Sequence, residues 1–503
     1  MRKLIRVGGI VASCFLILYV VLLVPGSEPT VPASAPTQQA HAFLWNQDAY
    51  WDSLEHSFAH ALRLGCNDVT PLIASATGQW RRRVDSLILR SYQPHASVFK
   101  EIEQLTFGLG PWIAVCPDQL PVYIDLVART RDAVKRQSIG WDLNERGARE
   151  TLYRLLYGGR MAVEEVALQV PLDRQPPPLI RCTDEPSRTP SASLLGVEIH
   201  SGDILVSRGG APTSALIARG NDFPGNFSHI ALAYVDSTTH LLKIIEAHIE
   251  RGVAVSSPED YLKDTKLRVM VLRLRTDLPV MLRDPLLPHE AASIAMQRAR
   301  SRHIPYDFSM DYQSSDRLFC SEVASSAYRE VGVTLWMGLS HISSPGLRQW
   351  LADFGVEHFE TQEPSDLEYD SQLRVVAEWR DTETLRKDHM DNAVTEVMLE
   401  GAERGDRLIA HWYLLPIARV AKGYSVLLNW VGAVGPVPEG MSALSALKHD
   451  EYATRHAMIK TAMAKGVAQF QQQRGFIPPY WELLRLARSA AATTGQSDRP
   501  MSR

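Results

Sequence analysis

The sequence has little cysteine, no surplus of either charge, and only one long apolar run. Its five cysteines (Cys14, Cys66, Cys116, Cys182 and Cys320) are scattered, and no two of them form a CxxC pair. That spacing argues against a zinc ribbon and a thioredoxin-type redox site. The formal charge is -4 over 503 residues and no basic stripe runs along the chain, so nucleic acid is not an expected partner. A GxSxG elbow is also lacking: the nearest string, Gly440-Met441-Ser442-Ala443-Leu444, has no second glycine. His289-Glu290 does not continue to HExxH, because residue 293 is Ser, and there is no phosphate-binding or dinucleotide fingerprint. Neither a metal nor a cofactor is therefore expected.

The one long apolar run is at the N-terminus. Arg2, Lys3 and Arg6 precede an almost unbroken apolar stretch from Val7 to Val24, closed by Pro25-Gly26. About 18 apolar residues just suffice to cross a bilayer. Cations on the leading side predict a cytoplasmic N-terminus and an exported body. The expectation is a single-pass anchor in a bacterial inner membrane with the body in the periplasm. The alternative is a signal peptide cleaved near Ala33-Ser34-Ala35, which would release a secreted protein.

Composition divides the rest. Residues 1–25 form the anchor or signal segment, and 26–40 a Pro/Ser/Ala tether. Residues 41–170 carry helical periodicity, as in Trp51, Leu54, Phe58, Ala61 and Leu62, or Leu152, Leu155 and Leu156. Cys66 and Cys116 fall within this helical domain, where they could pair in an oxidising compartment or remain two buried thiols. A Pro-rich linker covers 171–193. Strand-like runs follow at Asp203–Ser207, Ser228–Val235, Lys243–Ile249, Val253–Val255 and Leu267–Arg275, the last near-alternating, as a half-buried strand would be. Helices are expected at Pro288–Ser301 and about Phe319–Val331, so 194–350 reads as an α+β unit with an antiparallel sheet. Residues 351–490 read as mainly helical and 491–503 as a disordered tail. Within the former, the apolar stretch Ile409–Val437 fits a buried helical hairpin or a surface touching lipid, the former being commoner.

Chemistry centres on Cys320, in RLFCSEVASSAYREVGV. Val323, Ala324, Ala327 and Tyr328 recur at helical spacing, so a helix begins close to the cysteine. Unpaired N–H groups and the positive end of the dipole there favour thiolate, the form that attacks carbonyls. A small buried hydrophobe is the plainer reading of a lone cysteine. A catalytic thiol also needs a base. His229 lies in the apolar strand NFSHIALAYVD, on one face with Ala231 and Ala233. The next strand places Glu246 and His248 on one face, where either residue could hold His229 in its tautomer.

The order Gly202-Asp203-Ile204-Leu205, Ser228-His229-Ile230, Glu246-Ala247, Tyr306-Asp307, Phe319-Cys320-Ser321-Glu322 resembles the permuted papain-like amidases of the YiiX/YaeF type, in the NlpC-related superfamily. The resemblance spans about Leu195 to Gly332. It implies a circularly permuted papain-like fold in which histidine precedes cysteine, with Cys320 as nucleophile, His229 as general base and Glu246 as orienting residue. That family commonly has Gly soon after the histidine, where Ile230-Ala231 stand here. Tyr306 and His248 are candidate substrate contacts. The expected activity is cleavage of a peptide or amino-acid amide through a Cys320 thioester. Alternatives are a lipid-directed acyltransferase or thioesterase with the same site, and a non-catalytic ligand-binding envelope protein.

Overall fold

The computed structural model describes residues 16–17, 19–24, 42–43, 49–314 and 316–497. Most of the run Val7–Val24 therefore lies outside the described residues. Its described part is helical over 16–17 and 19–23, with side chains such as Val20 and Val21 exposed. Among the described residues, no helix is long and apolar enough to cross a membrane.

Among the described residues from 49 to 170, five α-helices follow one another: α1 (Ala49–Leu64), α2 (Cys66–Leu89), α3 (Ser97–Ala114), α4 (Leu120–Gln137) and α5 (Arg146–Gln169). Their apolar stripes converge on one core around Trp80, Ile102, Tyr123 and Leu152. Leu62 departs from the expected pattern and faces outward, because α1 is an outer helix. Cys66 and Cys116 are joined as a disulfide, tying the start of α2 to the end of α3. The Glu145 carboxylate caps α5 by accepting from the Gly147 and Ala148 N–H groups.

The strands follow: β1 (Leu179–Arg181), β2 (Ser191–Leu194), β3 (Val197–His200), β4 (Ile204–Gly209), β5 (His229–Val235), β6 (Leu242–His248), β7 (Gly252–Ser256) and β8 (Lys266–Leu274). Between them lie the short α6 (Pro212–Arg219) and α7 (Pro258–Lys263). After them come α8 (Pro279–Arg283), α9 (Leu287–Ser301), α10 (Cys320–Glu330), β9 (Ser340–His341), α11 (Pro345–Phe354), β10 (Glu360–Thr361) and β11 (Leu373–Trp379). Seven strands form one antiparallel sheet in the order β1-β11-β8-β4-β5-β6-β7. One face, with Val206, Ile230 and Ile245, packs on α9 and α10. The other, with Leu205, Ala233 and Val271, packs on the β2–β3 hairpin and Tyr261 of α7. This alternation is what a sheet covered on both sides requires.

Expectations for two strands need correction. Residues 373–379 are not helical but form β11, which pairs with β8 from Leu373↔Leu274 to Trp379↔Val269. Strand β8 is buried along nearly its whole length rather than half-buried, because β11 and β4 flank it and its arginines find buried carboxylates. Arg273 makes a two-pronged bond to Asp203, and Arg268 reaches Glu164 and Asp388.

Four helices complete the chain: α12 (Thr382–Glu403), α13 (Leu415–Trp430), α14 (Ala443–Arg474) and α15 (Tyr480–Ser497). Helix α15 runs into the expected tail, and 498–503 lie outside the described residues. Helices α12, α14 and α15 share a core with α11. The stretch 409–437 is not the buried hairpin favoured by base expectation. Of α13, only Leu415, Pro416, Ala418 and Ser425 are buried.

Candidate active site

The GDIL motif positions the cysteine helix. Gly202 has φ +97, and a Cβ there would meet Pro288 of α9 at 2.3 Å, so only glycine fits. Its carbonyl accepts the Tyr328 hydroxyl of α10 at 2.6 Å. Asp203 accepts the His200 N–H and the Arg273 fork, while Ile204 and Leu205 point into opposite cores. The motif is thus a bracket between sheet and helix.

Cys320 is the first residue of α10. Glu322, one turn in, accepts from the Phe319 N–H at 3.0 Å and fixes the helix start. Burial raises the Glu322 carboxyl to about 9, with Asp307 and Asp311 adding to the effect, so at neutral pH it holds its proton. Asp307 organises the loop entering the helix: it accepts from the Ser309 N–H, the Ser309 hydroxyl and the Asp311 N–H.

His229 opens β5. Its Nε2 lies 2.8 Å from Glu246 of β6, which leaves Nδ1 as the nitrogen free of the carboxylate. Glu246 is 1 % exposed and has two further partners, the Ser256 hydroxyl at 3.1 Å and His248 Nε2 at 3.2 Å. Burial would raise this carboxyl, but bonds to the two imidazoles outweigh it and hold it well below the usual carboxylate range. Glu246 is therefore ionised, and neither histidine alone satisfies it.

The cysteine sulfur lies against the backbone N–H of Ile230, the residue after His229, and against its own neighbour Ser321. Ile230 stands where the family commonly has glycine. Its side chain goes into the core while its N–H faces the thiol, so the bulk does not enter the site. Cys320, His229, Glu246, His248 and Tyr306 all line one cavity of about 750 Å³. Tyr306 is part of that lining, with its ring edge-on to Phe308 at 5.0 Å.

One electrostatic expectation changes. The helix start was expected to favour thiolate. Burial instead pushes the Cys320 thiol up to about 12, more than the N–H groups of Ile230 and Ser321 pull it down. Burial also lowers the His229 imidazole, and Glu246 only partly offsets this. The cavity is thus lined by a neutral thiol and by an imidazole that burial keeps neutral.

Sequence reasoning missed several lining groups. Lys266 and the hydroxyls of Ser207, Ser214 and Ser228 face the same cavity, and the Ser214 and Ser228 hydroxyls bond each other. Ser207 stands directly opposite His229 on β4. Only the strand register could have shown this, and register is not readable from β4 alone.

Residues 198–377 match the model of the permuted papain-like amidases of the YaeF/YiiX type, peptidase family C92. The match runs past residue 350 to include β11, in keeping with that strand's place in the sheet. No curated protein and no solved structure matches the chain. The segment that carries Cys320, His229 and Glu246 is thus similar to the permuted papain-like amidases, a family of cysteine amidases and peptidases.

Proposed function

We propose that this protein is an envelope hydrolase that cleaves an amide through a thioester on Cys320. The observation that supports this reading is the one cavity that Cys320 and the hydrogen-bonded His229–Glu246 pair both line. His229 takes the thiol proton as sulfur attacks the acyl carbonyl, then gives it to the leaving amine. Glu246 holds the imidazole by Nε2 and stabilises the imidazolium formed in that step. The oxyanion faces N–H groups at the start of α10. Water then enters, is deprotonated by His229, and releases the acid. Tyr306 and His248 border the substrate. The apolar run Val7–Val24 anchors the chain, with its body outside the cytoplasm.

A lipid acyl donor is a second reading, favoured by one observation: Val434, from the exposed apolar stretch, lines the same cavity. The test is to incubate the full chain with peptide amides, N-acyl amino acids and phospholipids, and to look for acylated Cys320 by intact mass. An adduct in the wild type that is absent in Cys320→Ala supports the proposal, and the acyl group names the substrate class. Hydrolysis unchanged in Cys320→Ala would overturn it.

A further inference from the structure

The stretch 409–434 is the most apolar exposed surface of the described molecule. Ile409, Trp412, Ile417, Tyr424, Leu427 and Trp430 all face outward, with Trp412 69 % and Trp430 79 % exposed. Helix α13 is held by a small contact, Leu415 and Ala418 against Ala443, Leu444 and Leu447. An apolar face of this extent, rimmed by polar groups, marks an interaction surface.

Three features single out the occupant. First, the stretch from Arg407 to Pro438 holds no Asp or Glu but includes Arg407, Arg419 and Lys422, the last two bonded only to backbone carbonyls, so its net positive charge suits an anionic surface. Second, indole and phenol rings edge the apolar residues, the composition that settles at the boundary between headgroups and acyl chains. Third, the described part of the N-terminal apolar run lies on this patch. The Tyr19 hydroxyl donates to the Tyr413 carbonyl at 3.0 Å, and Arg419 donates to the Leu22 carbonyl at 2.8 Å. Two exposed apolar helical pieces are thereby side by side. A protein partner would have no reason to match all three.

We propose that α13 and its flanks lie in the interfacial layer of a lipid bilayer, parallel to its plane, together with the helical piece at residues 19–23. Helix α13 is too short to span, and its buried side is already taken by α14, so it lies on the membrane rather than through it. Val434 extends the patch to the cavity rim, so docking sets the mouth of the cavity at the lipid surface. This inference does not depend on the catalytic reading.

The test uses the full chain bound to vesicles of phosphatidylethanolamine and phosphatidylglycerol, with or without acyl-chain bromine, and reads tryptophan emission. Residues 1–25 contain no tryptophan, so the N-terminal run itself gives no signal. The expected result is quenching by brominated lipid that is lost in Trp412→Phe/Trp430→Phe. Both positions are exposed, and an unchanged melting curve would show that this variant folds. Vesicle-bound protein that is not quenched, or quenching unaffected by the double substitution, would overturn the proposal. So would a self-associating species, unquenched on vesicles, that Ile417→Glu converts to monomer in sedimentation, since a second copy would then be the occupant.

Discussion

Glu246 accepts from two imidazoles and a hydroxyl while almost wholly buried, which makes its charge the organiser of the cavity. Removing that charge has a specific signature. Glu246 raises the His229 pKa against the lowering effect of burial. The imidazole is therefore the working base down to a pH below its ordinary value of about 6.5, and activity falls as pH drops through that lowered value. Glu246→Gln should move the acid limb of kcat/KM to still lower pH, and lower kcat/KM itself by between about 10-fold and 10⁴-fold. A merely structural role would lower activity without moving the limb. His229→Ala should cost about 10²–10⁴-fold in kcat. Because burial raises the Cys320 thiol, alkylation by iodoacetamide should rise only above the ordinary thiol value of about 8.5. A midpoint below pH 7 would show a preformed thiolate–imidazolium pair instead.

At the scale of elements, the β6–β7 turn carries the tightest constraint near the site. Gly252 has φ +70, and a Cβ there would stand 2.1 Å from the Ile304 carbonyl oxygen, which accepts from Val253 N–H. Gly252→Ala should destabilise the fold by about 1–3 kcal/mol. It should also displace the loop from Ile304 toward Tyr306, so KM and melting temperature shift together. Strands β4 to β8 and helices α9 and α10 were legible in the sequence because each pairs a clear period with a turn signal. Other elements were not. Leu373–Trp379 is short, and its apolar residues fit a helix as well as a strand until Leu274 is known to lie opposite Leu373. Arg268 and Arg273 made β8 look half-solvated, since their partners Glu164, Asp388 and Asp203 lie far away in sequence. That Cys320, His229 and Glu246 line one cavity was suggested by their residue types together with the order of the motifs. The neutral state of the thiol did not, because burial depends on the whole cavity wall.

At the scale of the molecule, one polar cluster joins regions far apart in the chain. Glu164 of α5, fully buried, accepts from Arg160, Arg268 and Arg380 and faces His389 of α12 at 3.3 Å. Asp388 binds Arg208 of β4 and Arg268 of β8. Removing one member leaves charges stranded out of water, so Glu164→Gln should cost about 3–5 kcal/mol in chemical unfolding. Burial lowers the His389 pKa, but its bonds to Glu164 and Glu165 outweigh this and raise it to about 9. A raised value means stability that is full below about pH 6.5 and is lost as pH rises through about 9. Unfolding free energy should therefore fall over that window in the wild type, and be flatter there in His389→Gln.

This cluster also bears on how such an enzyme can be cut and reassembled. The family match covers 198–377, yet the counter-charges of Arg208 and Arg268 in that segment, Glu164 and Asp388, both lie beyond its ends. A chain trimmed to the matched segment would lose both carboxylates and the two helices that cover Arg208 and Arg268. The helical flanks are thus part of the footing of the matched segment's sheet rather than optional attachments, and transplanting that segment into another protein requires bringing α5 and α12 with it.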